Sequence, residues 1–200
     1  MRRKIRGPLY TLFNLGFVAL FQNLTLMAVV WPAYVLTLCS QLPGSTDSDL
    51  VDVIFSRGLV ILLCIETIAD QQQWRYQQAK KSYRETGAVP DGFTKDDLDR
   101  GFVVSGLWAF SRHPNFACEQ AIWLGVYQWA CFRSDTMYNW SGLGAMVYCS
   151  IFLGSTVFTE SISAAKYPEY KEYQQLVNKL VPGLGALVGK EPEVKGAKKD

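Results

Sequence analysis

The sequence predicts an all-α fold, a polytopic membrane protein of about four transmembrane helices. Two observations predict it. About half of the 200 residues are hydrophobic (49%) while only 19% are charged. The charged residues also gather at residues 1–6, at 70–100 and after Lys166, which leaves long apolar stretches between them. Such segregation is typical of membrane spans joined by polar loops, and the chain length suits one domain.

Four apolar stretches are long enough to approach the roughly 20 residues that a helical span needs. They cover residues 9–38, 53–69, 116–132 and 138–159. The first is longer than one span and contains Pro32, which predicts a helix that kinks or ends near Trp31 and Pro32. Residues 70–114 form the connection between the second and third spans. Its first part continues the second helix, and its second part, with Gly87 and Pro90-Asp91-Gly92, reads as a loop.

The distribution of Lys and Arg predicts the orientation. Eighteen of the 20 basic residues fall on one side of a four-span topology, and the positive-inside rule makes that side cytosolic. Both termini are therefore predicted to be cytosolic. The predicted organisation is a cytosolic stub at 1–8, a membrane domain at 9–182 with a cytosolic loop at about 70–114, and a disordered cytosolic tail at 183–200.

Composition excludes several functions. A net charge of +2 without a dense basic face argues against a nucleic-acid partner. Five scattered cysteines, no Cys-x-x-Cys pair and a single histidine argue against a metal site or a disulfide framework. The segment PGLGALVG has no strand before it, so it is not a soluble dinucleotide-binding fingerprint. Nucleotide phosphates would instead meet basic residues of the cytosolic side: Arg75, Lys80, Lys81, Arg84 and Arg112.

Acidic and amide residues near the cytosolic ends of the predicted spans are the functional candidates. A charge at membrane depth costs about 2.5–3.5 kcal/mol, so such residues usually face a protein interior or a water-filled cavity. Glu66 and Asp70 are four residues apart, and so are Asn115 and Glu119, which places each pair on one helical face. The two pairs are therefore predicted to line one pocket. Glu160 lies at a similar depth and reads as a boundary residue.

A structural interpretation of the same residues stays open. Pro114 can be the first residue of an ordinary helix, with Ser111 or His113 near its cap. Asn115 would then lie in an ordinary first turn, and Glu119 would only interact with the positive end of the helix dipole.

Three segments taken together resemble a known family. They read ETIADQQQWRYQQAK from residue 66, GLWAFSRHPNFACEQAIWLGVY from residue 106 and AAKYPEYKEYQQLVNKLVP from residue 164. In this order they resemble the DUF1295 family of membrane proteins, related to the C-terminal part of steroid 5-alpha-reductases. The wider superfamily includes sterol reductases and isoprenylcysteine carboxyl methyltransferases, whose C-terminal halves bind a cofactor from the cytosolic side.

The resemblance implies a site for NADPH. In the reductases, a polar residue followed four positions later by Asp, and an Asn followed four positions later by Glu, help to hold this cofactor. Glu66 stands where those reductases carry Asn, whereas Asp70, Asn115 and Glu119 match the pattern. The other predicted cofactor-binding residues are Arg112, His113, Tyr167 and Tyr170. No catalytic residue is carried over, because the acid and tyrosine of the reductases lie in N-terminal spans without a counterpart here.

The function that the resemblance implies is an NADPH-dependent reductase of a carbon–carbon double bond in a lipid or sterol-like substrate. It would act in the endoplasmic reticulum membrane with its cofactor site facing the cytosol. Two alternatives remain. Arg112-His113-Pro114 followed by Phe116 also resembles the signature of methyltransferases that use S-adenosylmethionine. The second alternative is a non-catalytic membrane scaffold of the same family. For the reductase itself, the missing half implies a chain shortened from a longer protein or a partner subunit that supplies the catalytic residues.

Overall fold

The computed structural model describes residues 7–42 and 49–183, and every regular element within them is a helix. The all-α prediction is therefore confirmed for these residues, whereas most of the predicted stub and tail lies outside them. The elements are α1 (Gly7–Phe13), a π-helical segment (Asn14–Phe21), α2 (Gln22–Ser40), α3 (Leu50–Thr86), α4 (Lys95–Arg100), a 3₁₀ turn (Gly106–Ala109), α5 (Pro114–Arg133), α6 (Gly142–Lys166) and α7 (Tyr170–Leu176).

The sequence predicts a helix that kinks or ends near Trp31 and Pro32, and the structure excludes the end. Pro32 lies inside α2, which continues to Ser40. Proline removes one backbone donor, but a helix in an apolar medium tolerates this loss when its neighbours satisfy the freed groups. The stretch also contains a π-helical segment, after which the Gln22 N–H donates to the Phe17 carbonyl five residues earlier. No residue pattern indicates this wider turn.

Two helical stretches of the described chain are long and apolar enough to cross a bilayer, Pro8–Ser40 and Gly142–Lys166. Only 11% of the most apolar part of the first is buried, and 22% of that of the second. A core helix of a soluble protein would be mostly buried. These two helices instead expose large apolar side chains such as Leu20, Met27 and Phe158, as membrane helices do.

The chain divides into two compact units, and α3, α5 and α6 contribute to both. Unit 1 comprises residues 1–59 and 122–151. Within it, Trp31 packs edge-on against Trp140 with ring centroids 4.6 Å apart. The Trp129 indole donates a 2.7 Å hydrogen bond to Asp52. Within unit 1, these contacts join α2 to the turn before α6 and α5 to α3.

Unit 2 comprises residues 60–121 and 152–200, and it contains all the predicted site residues. Its core has two apolar clusters. One consists of Phe102, Val104, Tyr170, Tyr173 and Val177, and the other of Tyr76, Ala79, Leu98, Val103 and Trp108. The aromatic side chains come from α3, α7 and the segment before α5. This segment is therefore anchored between helices, although its only regular element is the 3₁₀ turn Gly106–Ala109.

The predicted loop contains a short helix that sequence reasoning missed. The first part of the connection continues α3 to Thr86 as predicted. Beyond it, Thr94 begins α4 with a capping box, since its hydroxyl accepts from the Asp97 N–H at 3.2 Å and the Asp97 carboxylate accepts from the Thr94 N–H at 3.0 Å. Although burial works to raise the pKa of Asp97, the bonds from Thr94 and the nearby Arg100 lower it below its usual value.

Candidate functional site

The two predicted polar pairs meet on adjacent helices. The Asn115 amide donates a 2.9 Å hydrogen bond to the Asp70 carboxylate, which joins the start of α5 to α3. One turn further into each helix, Glu66 forms a side-chain hydrogen bond with Glu119. A hydrogen bond between two carboxyl groups requires a proton on one of them, since a carboxylate only accepts. The four residues thus form two neighbouring polar pairs that join α3 to α5.

Two atoms of this region are buried acceptors with no hydrogen-bond partner among the described residues. They are the Asn115 Oδ1 atom and the Glu66 Oε2 atom. The Gln73 Oε1 atom, on α3 one turn after Asp70, is likewise buried without a hydrogen-bond partner among the described residues. A buried polar atom without a partner costs about 1–3 kcal/mol. Such atoms are therefore expected to be satisfied by a bound molecule.

Arg112 connects three parts of unit 2 and is buried. Its guanidinium binds Glu160 of α6 in a bidentate pair, with Nε–Oε1 at 2.8 Å and Nη2–Oε2 at 3.2 Å. The Nη1 atom donates to the backbone carbonyls of Gln174 at 2.7 Å and Val177 at 2.6 Å. Because four of its N–H bonds already point to protein acceptors, Arg112 serves here as a structural tie rather than as an exposed phosphate ligand.

The backbone around Arg112 is paired with the segment after α7. The Arg112 N–H donates to the Asn178 carbonyl at 3.0 Å, and the His113 N–H donates to the Lys179 carbonyl at 3.1 Å. The Ser111 hydroxyl also donates to the Lys179 carbonyl, at 3.1 Å. The chain then enters α5 at Pro114, which is the first helical residue as the structural interpretation predicted. These bonds hold Arg112 and His113 in place before α5 begins.

His113 has its ring orientation fixed by Glu160. The Nε2 atom lies 3.0 Å from Glu160 Oε1, and the ring stacks on Phe116 with centroids 5.5 Å apart. Burial lowers the pKa of His113, although the Glu160 carboxylate partly opposes this effect. A neutral imidazole beside a carboxylate must carry its proton on Nε2, which leaves Nδ1 as an acceptor.

A cavity of about 260 Å³ adjoins these groups within unit 2. Its walls combine aromatic rings with polar side chains. The aromatic residues are Phe102, Trp108, Phe116, Tyr170 and Tyr173, and the polar ones include Gln73, Arg112, His113, Asn115, Thr159 and Ser163. Two of the three unpartnered oxygens, those of Gln73 and Asn115, belong to residues of this wall. The cavity therefore suits a flat ring that carries a hydrogen-bond donor.

The predicted tyrosines have different places. Tyr170 is buried in the cavity wall, and burial raises its pKa to about 12, so it stays a neutral phenol. Tyr167 does not line this cavity. Its hydroxyl oxygen accepts a 2.8 Å hydrogen bond from Lys80. Burial works to raise the pKa of Tyr167, but Lys80 and Lys166 together lower it.

Sequence reasoning overlooked Tyr173 and assigned Glu160 to the membrane boundary. Tyr173 is buried, and its hydroxyl donates to the Trp108 carbonyl. Its spacing from Tyr170 and Val177, three and four residues along the chain, was the readable signal of one buried helical face. Glu160 gave no such signal, because its partner Arg112 lies 48 residues away in the sequence.

Comparison with known proteins places the chain in a family. The pattern of the DUF1295 family, described as a protein of unknown function, matches residues 1–179. The chain belongs to the DUF1295 family. This DUF1295 chain is 35% identical over 178 residues to "Uncharacterized protein C594.04c" of Schizosaccharomyces pombe, a match that covers 88% of the chain. The match covers 51% of that relative, so the chain spans about half the length of the curated relative. No solved structure matches it.

Proposed function

We propose that this DUF1295 chain binds NADPH in unit 2 and acts as a membrane-embedded reductase of a carbon–carbon double bond in a lipid or sterol-like substrate. One observation carries the proposal. The Asp70–Asn115 hydrogen bond brings the acid-bearing faces of α3 and α5 together beside an aromatic cavity with unpartnered amide oxygens. This arrangement offers both a binding place for a cofactor ring and a nearby proton.

The residues of the cavity fit the nicotinamide end of the cofactor. The Gln73 and Asn115 oxygens are acceptors for the two N–H donors of a carboxamide group. Trp108, Phe116 and Tyr170 supply flat apolar surfaces for the ring. A cavity of about 260 Å³ holds this end of the molecule and not the whole dinucleotide, so the remainder must extend outside it.

The chemistry of reduction needs a hydride and a proton. NADPH supplies the hydride when bound. The hydrogen-bonded Glu66–Glu119 pair holds a proton one helical turn from Asn115, and it is our candidate for the proton store of the reaction. A substrate dissolved in the bilayer would reach this pair from the apolar side of the helices.

The membrane setting is part of the proposal. Four spans with both termini cytosolic would place the Asp70–Asn115 pair at the cytosolic ends of the second and third spans. Support comes from the placement of 18 of the 20 Lys and Arg residues on one side. The endoplasmic reticulum is the membrane that the family resemblance favours.

The test is ligand-dependent stability of the full chain purified in detergent. NADPH, NADH and S-adenosylmethionine are titrated separately, and the unfolding temperature is followed. A ligand that binds only the folded state stabilises it by about 2.7 kcal/mol at a concentration of 100 times its Kd. We expect NADPH to raise the unfolding temperature of the wild type.

The decisive variant is Asn115→Ala, which removes one of the unpartnered oxygens and the bond to Asp70. Its matched control is Gln128→Ala, an exposed amide on the same helix. Stabilisation by NADPH should be lost in the first and kept in the second. Stabilisation by S-adenosylmethionine alone would replace the reductase with a methyltransferase. A folded chain that responds to none of the three ligands would point to a scaffold.

A further inference from the structure

A second concave region of unit 2 is strongly basic. This basic cleft has a volume of about 280 Å³ and is lined by Gln77, Lys80, Lys81, Arg84, Glu85 and Lys166. It contains four cationic side chains and one carboxylate. Within residues 7–42 and 49–183, none of the four cations forms an ion pair. The cleft therefore carries an excess of positive charge that the described protein does not neutralise.

Lys80 is a fixed charge at the inner side of the cleft. The side chain is buried, and its ammonium donates to the Gly101 carbonyl and, at 2.8 Å, to the Tyr167 hydroxyl. The ammonium also lies 4.9 Å from the centre of the Tyr167 ring. A buried ammonium without a carboxylate partner is costly. An anion bound in the cleft would offset this cost, and the exposed Lys81, Arg84 and Lys166 are able to close around it.

The position of the cleft on α3 favours a soluble anion over a lipid headgroup. If the apolar part of α3 spans the bilayer up to Asp70, Lys80 and Arg84 lie about 15 and 21 Å further along the helix axis. Headgroups extend only about 5–8 Å beyond the hydrocarbon core. Lys80 and Arg84 are therefore beyond the reach of a phosphate that belongs to a membrane lipid, whereas Lys166, the last residue of the candidate span Gly142–Lys166, is the cation of the cleft closest to the bilayer.

The basic cleft and the aromatic cavity lie along one face of α3. Gln73 belongs to the cavity wall, and Gln77, Lys80, Lys81 and Arg84 follow it at helical spacing of three or four residues. From Gln73 to Arg84 the helix advances about 16 Å. A ligand that joins an aromatic amide to a phosphate by a flexible linker can therefore contact both places at once.

We propose that the basic cleft binds the 2′-phosphate monoester on the adenosine ribose of the dinucleotide. This DUF1295 chain would then select NADPH over NADH. The choice of ligand rests on the proposed function, whereas the anion site rests on the cleft itself. The monoester is the group that distinguishes the two dinucleotides, and its charge of nearly −2 is opposite in sign to the excess of +3 that four cations and one carboxylate give the cleft.

The experiment measures dissociation constants for NADPH and NADH with the full chain in phosphatidylcholine nanodiscs. The test variant is Lys81→Gln/Arg84→Gln, which removes two exposed charges of the cleft and leaves the buried Lys80 in place. The matched control is Lys95→Gln/Lys171→Gln, which removes two exposed charges of unit 2 outside the cleft. Inorganic pyrophosphate, followed by thermal stability, serves as a probe that contains no nicotinamide.

We expect the wild type and the control to bind NADPH at least tenfold more tightly than NADH. The test variant should lose about tenfold in NADPH affinity and nothing in NADH affinity, because it loses only charge-assisted contacts to the monoester. A test variant that binds NADPH like the wild type, or that loses both dinucleotides equally, would overturn the assignment while leaving the proposed function standing.

If the wild type binds neither dinucleotide, the proposed function fails. The thermal stability with pyrophosphate then tests the anion site by itself. Stabilisation by pyrophosphate that is lost in the test variant and kept in the control would support the anion site. No stabilisation of the wild type would overturn it. A dependence of stability on phosphatidylserine in the nanodiscs that disappears in the test variant would also overturn it, in favour of a lipid headgroup.

Discussion

His113 is the only histidine of the sequence, so the protonation of its ring can be measured without assignment. We expect ¹⁵N spectra of histidine-labelled protein at pH 7.5 to show a neutral ring with the proton on Nε2, because Glu160 accepts from that atom. Glu160→Gln should change the tautomer balance, since an amide can also donate. A doubly protonated ring in the wild type at this pH would contradict the lowering of the His113 pKa by burial.

The same residue predicts a pH dependence of stability. Burial lowers the pKa of His113 below its ordinary value of 6.5, so the unfolded chain takes up a proton more readily than the folded chain. The contribution of His113 is therefore complete above about pH 6.5 and decreases as the pH falls through that value toward the folded pKa. Urea denaturation of the wild type and of His113→Gln at several pH values measures this effect. In this pH window the free energy of unfolding should fall for the wild type and not for the variant.

The Arg112–Glu160 pair should be costly to break on one side only. Both side chains are buried, and Glu160→Ala leaves the guanidinium charge without its carboxylate. We expect a loss of about 3–5 kcal/mol in the free energy of unfolding. Glu172→Ala, an exposed acid on α7, should change stability by at most about 0.5 kcal/mol. The double variant Arg112→Met/Glu160→Ala should lose less than the sum of the two single changes; additive losses would exclude direct coupling.

At the scale of elements, two glycines of α6 make a matched pair. A Cβ on Gly144 would overlap the backbone of Ala28 and Val29, whereas a Cβ on Gly154 would meet nothing within 4 Å. Gly154→Ala should therefore stabilise the helix by about 0.5–1 kcal/mol. Gly144→Ala should destabilise the protein because α2 would have to move away. Equal effects of the two changes on thermal unfolding would show that α2 does not pack closely on α6 at Gly144.

The elements also show what the sequence can and cannot predict. Pro114 was readable as the start of α5, because proline suits the first helical position. The π-helical segment was not predictable, because no residue type in it distinguishes it from α2 or favours a wider turn. Thr94 and Asp97 have the spacing of a capping box and could have predicted the start of α4. The helix has only six residues, most of them charged, so no apolar periodicity indicates it.

The site was predictable to the extent that it depends on helical spacing. Spacing placed Asp70 and Asn115 on the relevant helix faces, and the structure brings them within 2.9 Å. It could not predict that Glu160 pairs with Arg112 or that Lys80 reaches Tyr167, because these contacts join residues 48 and 87 positions apart. Such pairs depend on how the helices of unit 2 pack, which no local pattern encodes.

For the whole molecule, the proposed four-span topology makes a labelling prediction. Cys64 lies on an exposed face of α3 within the second predicted span, so only lipid would shield it. In sealed membranes we expect a water-soluble maleimide to leave Cys64 unlabelled until detergent denatures the protein. Ser82→Cys, exposed beyond that span, should label at once from the cytosolic side in a background without other cysteines. Equal rates at both positions would exclude α3 as a membrane span.

The ties of Arg112 have a consequence for biosynthesis. Its acceptors lie at Glu160, Gln174 and Val177, and the neighbouring backbone pairs with Asn178 and Lys179. While the ribosome is still translating the segment between them, the nascent chain carries a guanidinium whose native partners do not yet exist. The site therefore assembles late, and a chain that stalls before residue 179 would leave this charge without its full set of acceptors.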